Sequence, residues 1–334
     1  MAITVYTPQD FALGIKQQAT FGTEIADSIA FETLLMENAK IEPDIKFRPY
    51  AGSRMARFVD VSDLYADQKG AKPKLSLSLL MARKANLPLL LYMFFQKVTE
   101  ADGTPFGKTF IPHATQPDFS ANAGCFSSII VKGPIASKSR KINDCICTKL
   151  VLKCDPGGVL SLTADILGRG AVTLTANPSG TWTYGANSFY AFEDMARATL
   201  NFGGAITCVA GGWELELNRE FFEVGQSSGN FATWGMGKFT GTLKGSLLYD
   251  TAVDALEAAL VARTAGTINY AWGNASAGTV DGDLDVTAYG VLKKVDFNHS
   301  DKTMLDYELE LAGVAPTTTQ PITIIMADAV DKTW

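Results

Sequence analysis

The sequence predicts a mainly β protein made of two tandem halves, each a set of strands with one flanking helix. Three observations carry this reading. Apolar and polar residues alternate with period two along much of the chain, the mark of half-buried strands. Clusters of turn-forming residues, among 30 Gly and 13 Pro, separate these runs. The order of elements repeats at an offset near half of the 334 residues.

In the first half, strands are predicted at Asp44–Tyr50 and Lys74–Leu80, with a long polar segment between them. A helix follows, with Asn86 as N-cap and Pro88 tolerated in its first turn. Its run Leu87–Phe95 is continuously apolar, so a buried strand is the alternative. The run is flanked by Arg83, Lys84, Gln96 and Lys97. It is far short of the roughly 20 residues that span a bilayer, so no membrane partner is expected. Cys125–Lys132 reads as a further strand. In Ile146–Cys154, the residues Ile146, Thr148, Leu150, Leu152 and Cys154 share one face, and Lys149, Val151 and Lys153 the other. Asp155-Pro156-Gly157-Gly158 then turns the chain into Val159–Asp165, which completes a hairpin. Gly168–Phe192, rich in Gly, Asn, Ser and Thr, is predicted as the linker.

The second half repeats the order with strands Trp213–Phe221 and Phe239–Tyr249. The helix Thr251–Arg263 follows, with an apolar stripe of Val253, Leu256 and Leu260. Thr251 and Asp254 have capping-box spacing, and Gly266 is expected to supply the left-handed stop. Strands Ile268–Trp272, Leu284–Leu292 and Met304–Leu311 come next. Pro316–Trp334 reads either as an arm packing on a neighbour or as a frayed tail.

Ser78-Leu79-Leu80-Met81 matches Ser246-Leu247-Leu248-Tyr249 at an offset of 168, and Asp44–Tyr50 matches the Trp213 strand at nearly the same offset. Later strands match at about 160: Cys125–Lys132 with Leu284–Leu292, and Cys145–Lys153 with Leu305–Leu311. Tandem duplication is expected, with modules at 1–168 and 169–334, the second carrying the C-terminal arm. The alternative is two unrelated β-rich halves that share a generic alternation. The halves also differ in charge: 1–167 carries 19 Lys/Arg against 16 Asp/Glu, whereas the whole chain is −6.

Composition narrows the function. With 47% hydrophobic and 19% charged residues the chain is globular and not disordered. The acidic balance disfavours tight nucleic-acid binding. The N-terminus lacks a secretory pattern, and five cysteines without one fit a reducing compartment. Only two histidines are present. Gly103–Thr109 has one residue too few for a phosphate loop, and Pro112 follows where a helix would start. Asp281, Asp283 and Asp285 begin like a calcium loop, but Val286 and Leu292 occupy the positions that need Gly and Glu. Cys145 and Cys147 find no second pair of zinc ligands. No nucleophile elbow is present. No catalytic residue, cofactor or metal is therefore expected.

The layout from Thr23 to Gly313 resembles the tail tube proteins (major tail proteins) of long-tailed bacteriophages, in their larger, duplicated form. The resemblance rests on Gly22–Asp44, on the extended segment SRMARFVDVSDLYADQKGAKPK before Leu75–Leu80, on the pair Asp144–Gly170, and on Leu215–Asp250. It implies two tandem β-sandwich or barrel-like modules, each with a flanking α-helix, that join edge to edge into rings stacked as a tube. A duplicated chain would give three chains and six modules per ring; hexameric rings are the alternative. The resemblance further implies a non-enzymatic virion protein made in the host cytoplasm. Its partners would be a tape measure protein, tail terminator and tip proteins, and double-stranded DNA in passage without tight binding. Rival readings are a β-sandwich that binds carbohydrate or a receptor, and an enzyme using a carboxylate pair on an all-β scaffold.

Two groups of residues are candidate sites. The long segments Ser53–Lys72 and Glu223–Lys238 exceed ordinary connections, and in such a family they would reach the next ring. Their Arg54, Arg57, Phe58, Tyr65, Glu223, Phe231 and Trp234 are the candidate inter-ring contacts. Alternation around Trp213, Leu215 and Leu217 puts Glu214 and Glu216 on one outward face, and Asp283 and Asp285 flank Leu284 in the same manner. At least one of these acidic pairs is expected to line the channel, the alternative being the outer wall.

Overall fold

The computed structural model describes residues 11–34, 38–44, 46–49, 64–67, 71–79, 86–101, 106–133, 139–180, 182, 189–195, 198–225, 232–248, 254–273, 283–298, 304–313 and 319–328. Its first strands are β1 (Ala12–Gln17), β2 (Glu32–Leu34), β3 (Asn38–Glu42), β4 (Lys46–Pro49), β5 (Leu64–Asp67) and β6 (Lys74–Leu79). Helix α1 (Leu87–Phe95), β7 (Val98–Ala101), β8 (Phe106–Phe110) and β9 (Ser127–Lys132) follow, and then the long pair β10 (Ser139–Cys154) and β11 (Ser161–Thr175). The second part holds β12 (Ala198–Asn201), β13 (Ala205–Cys208), β14 (Ala210–Val224) and β15 (Thr233–Leu248). After them come α2 (Asp254–Ala262), β16 (Ala265–Trp272), β17 (Leu284–Asn298), β18 (Met304–Leu311) and β19 (Ile322–Asp328).

The mainly β expectation holds. All strands but the β4–β5 pair join through antiparallel ladders into one large sheet. Its backbone is the path β3–β6–β11–β10–β14–β15–β18–β17. Two strands change partner along one edge. Arg140–Cys145 of β10 pairs with β9, and Lys149–Cys154 with β14. Leu284–Ala288 of β17 pairs with β19, and Gly290–Asn298 with β18. Side branches complete the sheet: β9–β1–β2, β17–β16–β12–β13 and β19–β8–β7.

Alternation places the core. Leu75, Leu77, Leu162, Ala164, Leu150, Leu152, Leu215, Leu217, Leu243, Leu305 and Leu309 lie on one face of this path and are almost wholly buried. Fully burying one such side chain is worth about 1.5–3 kcal/mol. The helices pack on this apolar face, α1 against β10 and α2 against β17. Leu87–Phe95 is thus a helix and not a strand. It is buried nearly all round, so it carries no polar stripe by which sequence could tell the two apart. Gln96 ends it in the left-handed region at φ 61°. Its side-chain amide then clamps Cys125, donating to the carbonyl oxygen at 2.9 Å and accepting from the amide nitrogen at 2.7 Å.

Several expectations are corrected. Residues 168–175 do not belong to a linker but continue β11, and a Cβ at Gly168 would lie 2.0 Å from Ile142 Cγ2, so only glycine fits that crossing. The described part of the C-terminal segment is neither a free arm nor a frayed tail but strand β19. Ile322, Ile324 and Met326 are buried, and β19 is held between β17 and β8. The left-handed residue after α2 is Arg263, at φ 52°; Gly266 lies inside β16. Both ends of Glu223–Lys238 are strand, because β14 and β15 extend their hairpin to Val224 and Thr233. Thr251 lies outside the described residues.

Candidate functional site

The face of the sheet away from the helices is where side chains are available for contact. The ladders align its charges into rows. One row reads Lys153, Glu214, Lys244, Glu308, Lys294 across β10, β14, β15, β18 and β17, each residue directly opposite the next. A parallel row reads Lys40, Ser76, Asp165, Lys149, Asn218 across β3, β6, β11, β10 and β14. Directly opposed unlike charges stabilise cross-strand pairs by about 0.2–1 kcal/mol each. A shallow depression on this face is lined by Lys153, Glu214, Lys244, Lys294, Asp306 and Glu308.

Ion pairs between strands and along them add to the rows. Lys149 Nζ lies 2.6 Å from Glu216 Oε1. Its hydrogen bond, helped by one from Asn218 Nδ2, holds the Glu216 carboxyl below the usual carboxylate range. Lys40 pairs with Glu42 at 2.5 Å, Lys293 with Glu310 at 2.8 Å, and Lys294 with Asp296. All of these are well solvated, so each contributes little alone.

The acidic candidates separate under this geometry. Glu214 and Glu216 lie on the polar face as alternation required. They are not a bare acidic pair, however, because Lys153, Lys244 and Lys149 stand against them. Asp283 and Asp285 do not form an outward pair, which corrects that expectation. Asp283 is buried, and its carboxyl lies against Gly273, where a Cβ would come within 1.8 Å of Oδ1. Asp285 is half-buried and accepts hydrogen bonds from Asn269 Nδ2 and from Thr287 Oγ1, the latter at 2.8 Å; burial pushes its pKa up. The physical reason is position: they open β17 where β16 and β19 flank it on both edges.

The loop candidates also divide. Arg54, Arg57, Phe58 and Phe231 lie outside the described residues. Tyr65 stands in β5, opposite Arg48 in the two-stranded β4–β5 pair. Glu223 is exposed near the end of β14 and pairs with Lys72 at 2.9 Å. Trp234 is corrected from loop contact to core. It is wholly buried in β15 and packs in a cluster with Phe119, Phe126 and Ile146. Its indole N–H donates to the Asp144 carbonyl at 3.0 Å.

What sequence reasoning missed is the basic half of the rows. Lys149 and Lys153 were legible as outward residues of their strand. Their acidic partners were not, because strand register over such distances has no local signal. Two buried polar assemblies also emerged. Asp144, at φ 50°, accepts from Gln18 Nε2, from the Gly22 amide and from Arg169. Lys141 is buried and donates to Glu24, Asp27 and the Ile25 carbonyl, each at 2.7 Å. Both fasten the segment after β1 to β10. The five cysteines are free and buried, and burial raises the thiol pKa of Cys125, Cys145, Cys147 and Cys154. Among the described residues no group of three His, Cys, Asp or Glu could hold a metal.

Compared with known proteins, the sequence matches the family model described as phage tail tube protein over residues 8–324. No curated protein matches it significantly.

Proposed function

The chain belongs to the phage tail tube protein family, and from that premise we propose that it folds as two tandem tube modules and polymerises as rings of three chains. Family membership makes it a non-enzymatic structural component of the phage tail that assembles with copies of itself. The finer reading is supported by one observation above all, the repetition of the strand pairings. In the first part the ladders are β2–β1–β9–β10–β11–β6–β3. In the second they are β13–β12–β16–β17–β18–β15–β14, the same path in the same chain order. The helices fall at the same place in both, between β6 and β9 and between β15 and β16.

Even an irregularity repeats. The β10–β11 ladder slips between Cys147 and Lys149, and the β17–β18 ladder between Leu292 and Lys294. Long β11 corresponds to β18 and β19 together, since β19 continues along the edge of β17 where β18 ends. This correspondence keeps the Ser78–Ser246 match but reassigns the later strands: β9 goes with β16 and β10 with β17. The module boundary then falls between Thr175 and Ala198.

In this reading the charged face lines the lumen. Its first row alternates in sign at a strand spacing of about 4.8 Å, and in the second Asp165 stands beside Lys149. Each cation thus has an acid within the Debye length of about 8 Å, which offsets most of its field. A DNA backbone then meets no run of cations against which to release counterions, so it passes without being gripped. In the same reading the β4–β5 pair and the Glu223 end of the β14–β15 hairpin contact the adjoining ring. Tape measure, terminator and tip proteins would meet the same tube. Class averages or native mass spectrometry of assembled tubes test the stoichiometry: three chains per ring are expected, and six would refute the tandem-module ring.

A further inference from the structure

We propose that the subunit interface is a β-ladder between the outer edge of β3 in one chain and the outer edge of the second half of β17 in the next. This rests on the tandem-module reading and specifies its joint. Inside one chain the modules are already joined by such a ladder. The second half of β10 pairs with β14, with Val151 opposite Glu216, Leu152 opposite Leu215, and Lys153 opposite Glu214. By the correspondence above, the second half of β17 stands for that of β10, and β3 stands for β14. Among the described residues both of these edges carry no ladder. β3 pairs on one side with β6, and β17 beyond Leu292 pairs on one side with β18. A joint made twice from the same pieces is heterologous, the kind that forms a ring when its rotation closes. It also covers two open sheet edges.

The register follows from the internal joint. Lys149 corresponds to Lys294 and Leu215 to Ile41. The ladder then sets Asp296 opposite Glu42, Phe297 opposite Ile41, and Asn298 opposite Lys40. The internal ion pair Lys149–Glu216 is diagonal, and its equivalent joins Lys294 to Glu42. The next diagonal in the same sense joins Asp296 to Lys40. Both are unlike pairs, so the diagonals are complementary and offset the directly opposed acids Asp296 and Glu42. In the single chain each of these charges is exposed and bonded to its own strand neighbour, Lys40 to Glu42 and Lys294 to Asp296. Assembly exchanges these bonds across the joint. Burial points the same way: Ile41 and Val295 are half-buried, whereas their internal equivalents Leu215 and Leu150 are wholly buried.

The test is disulfide trapping in assembled wild-type-like tubes, with Glu42→Cys and Asp296→Cys in one chain. The native cysteines are buried and do not compete. Oxidation should give covalent dimers and trimers. The pair Asn38→Cys with Asp296→Cys, about 13 Å out of register, should give none. Charge reversal is the second arm. Lys294→Glu should raise the concentration needed for assembly about tenfold, and adding Glu42→Lys should restore it. Tubes that form but do not cross-link at 42 and 296, or that cross-link equally out of register, overturn the joint and leave the tandem ring standing. Cross-linking at 42 and 296 in rings of six chains would uphold the joint and refute the stoichiometry. A chain that stays monomeric at every concentration overturns both.

Discussion

The lumen reading makes its sharpest demand at Glu214. This residue is the centre of the sequence Lys153, Glu214, Lys244 across three adjacent strands. Replacing it with Lys turns an alternating row into three adjacent cations and changes each chain by two charge units. At a separation of about 5 Å in water, each neighbour contact changes from roughly 0.8 kcal/mol of attraction to the same amount of repulsion. Solvent screening and side-chain freedom reduce this, so the folded chain should lose about 1–2 kcal/mol. A protein of this length tolerates that, and tubes should still form. What changes is the lumen, which gains a ring of clustered lysines facing the DNA. Each phosphate neutralised steepens the salt dependence of binding. The assay is retention of short double-stranded DNA by purified tubes, measured from low to high salt. Glu214→Lys tubes should retain DNA at low salt and release it as salt rises, whereas wild-type tubes should retain little throughout. Variant tubes as unretentive as wild type at low salt would refute the placement of this face in the lumen.

Other predictions concern the scaffold. Lys141→Met should cost about 2–3 kcal/mol, below the usual penalty for breaking a buried pair because Glu24 and Asp27 can rehydrate; urea denaturation measures it. The Asp27 carboxyl is held below its usual range by its hydrogen bond from Lys141. Its stabilising effect is therefore full above the unfolded value near pH 4 and is lost as pH falls through the folded one. Melting temperatures compared between pH 6 and pH 3 should fall less for Asp27→Asn than for wild type. Trp234→Ala should cost about 3–5 kcal/mol of chain stability by emptying the Phe119, Phe126 and Ile146 cluster; an unchanged urea midpoint would refute its core role. Deleting 62–70, which removes β5 from the two-stranded β4–β5 pair, should leave a folded chain whose rings no longer stack; sedimentation of normal tubes would count against the arm.

The sequence by itself determined what depends on residues near one another in the chain. Period-two alternation located most of the strands, and it correctly put Lys149, Lys153, Glu214 and Glu216 on outward faces. Helix α2 was legible from its 3.6-residue stripe, whereas α1, apolar all round, was not separable from a buried strand. The order of elements carries the proposed repeat, because Ser78-Leu79-Leu80 and Ser246-Leu247-Leu248 stand at the same point of each half. Tertiary structure decided everything that rests on register and long-range burial. Trp234 and Asp283 follow the same local patterns as exposed residues, yet the neighbouring strands close over them. Glu214 read alone is an acid on an outward face; opposite Lys153 and Lys244 it becomes part of a row of alternating sign. The pairing of β19 with β17 and β8 likewise joins segments distant in sequence. Alternation fixes which way a side chain points. Only the ladder fixes what it points beside, because a shift of two residues preserves every face and changes every partner.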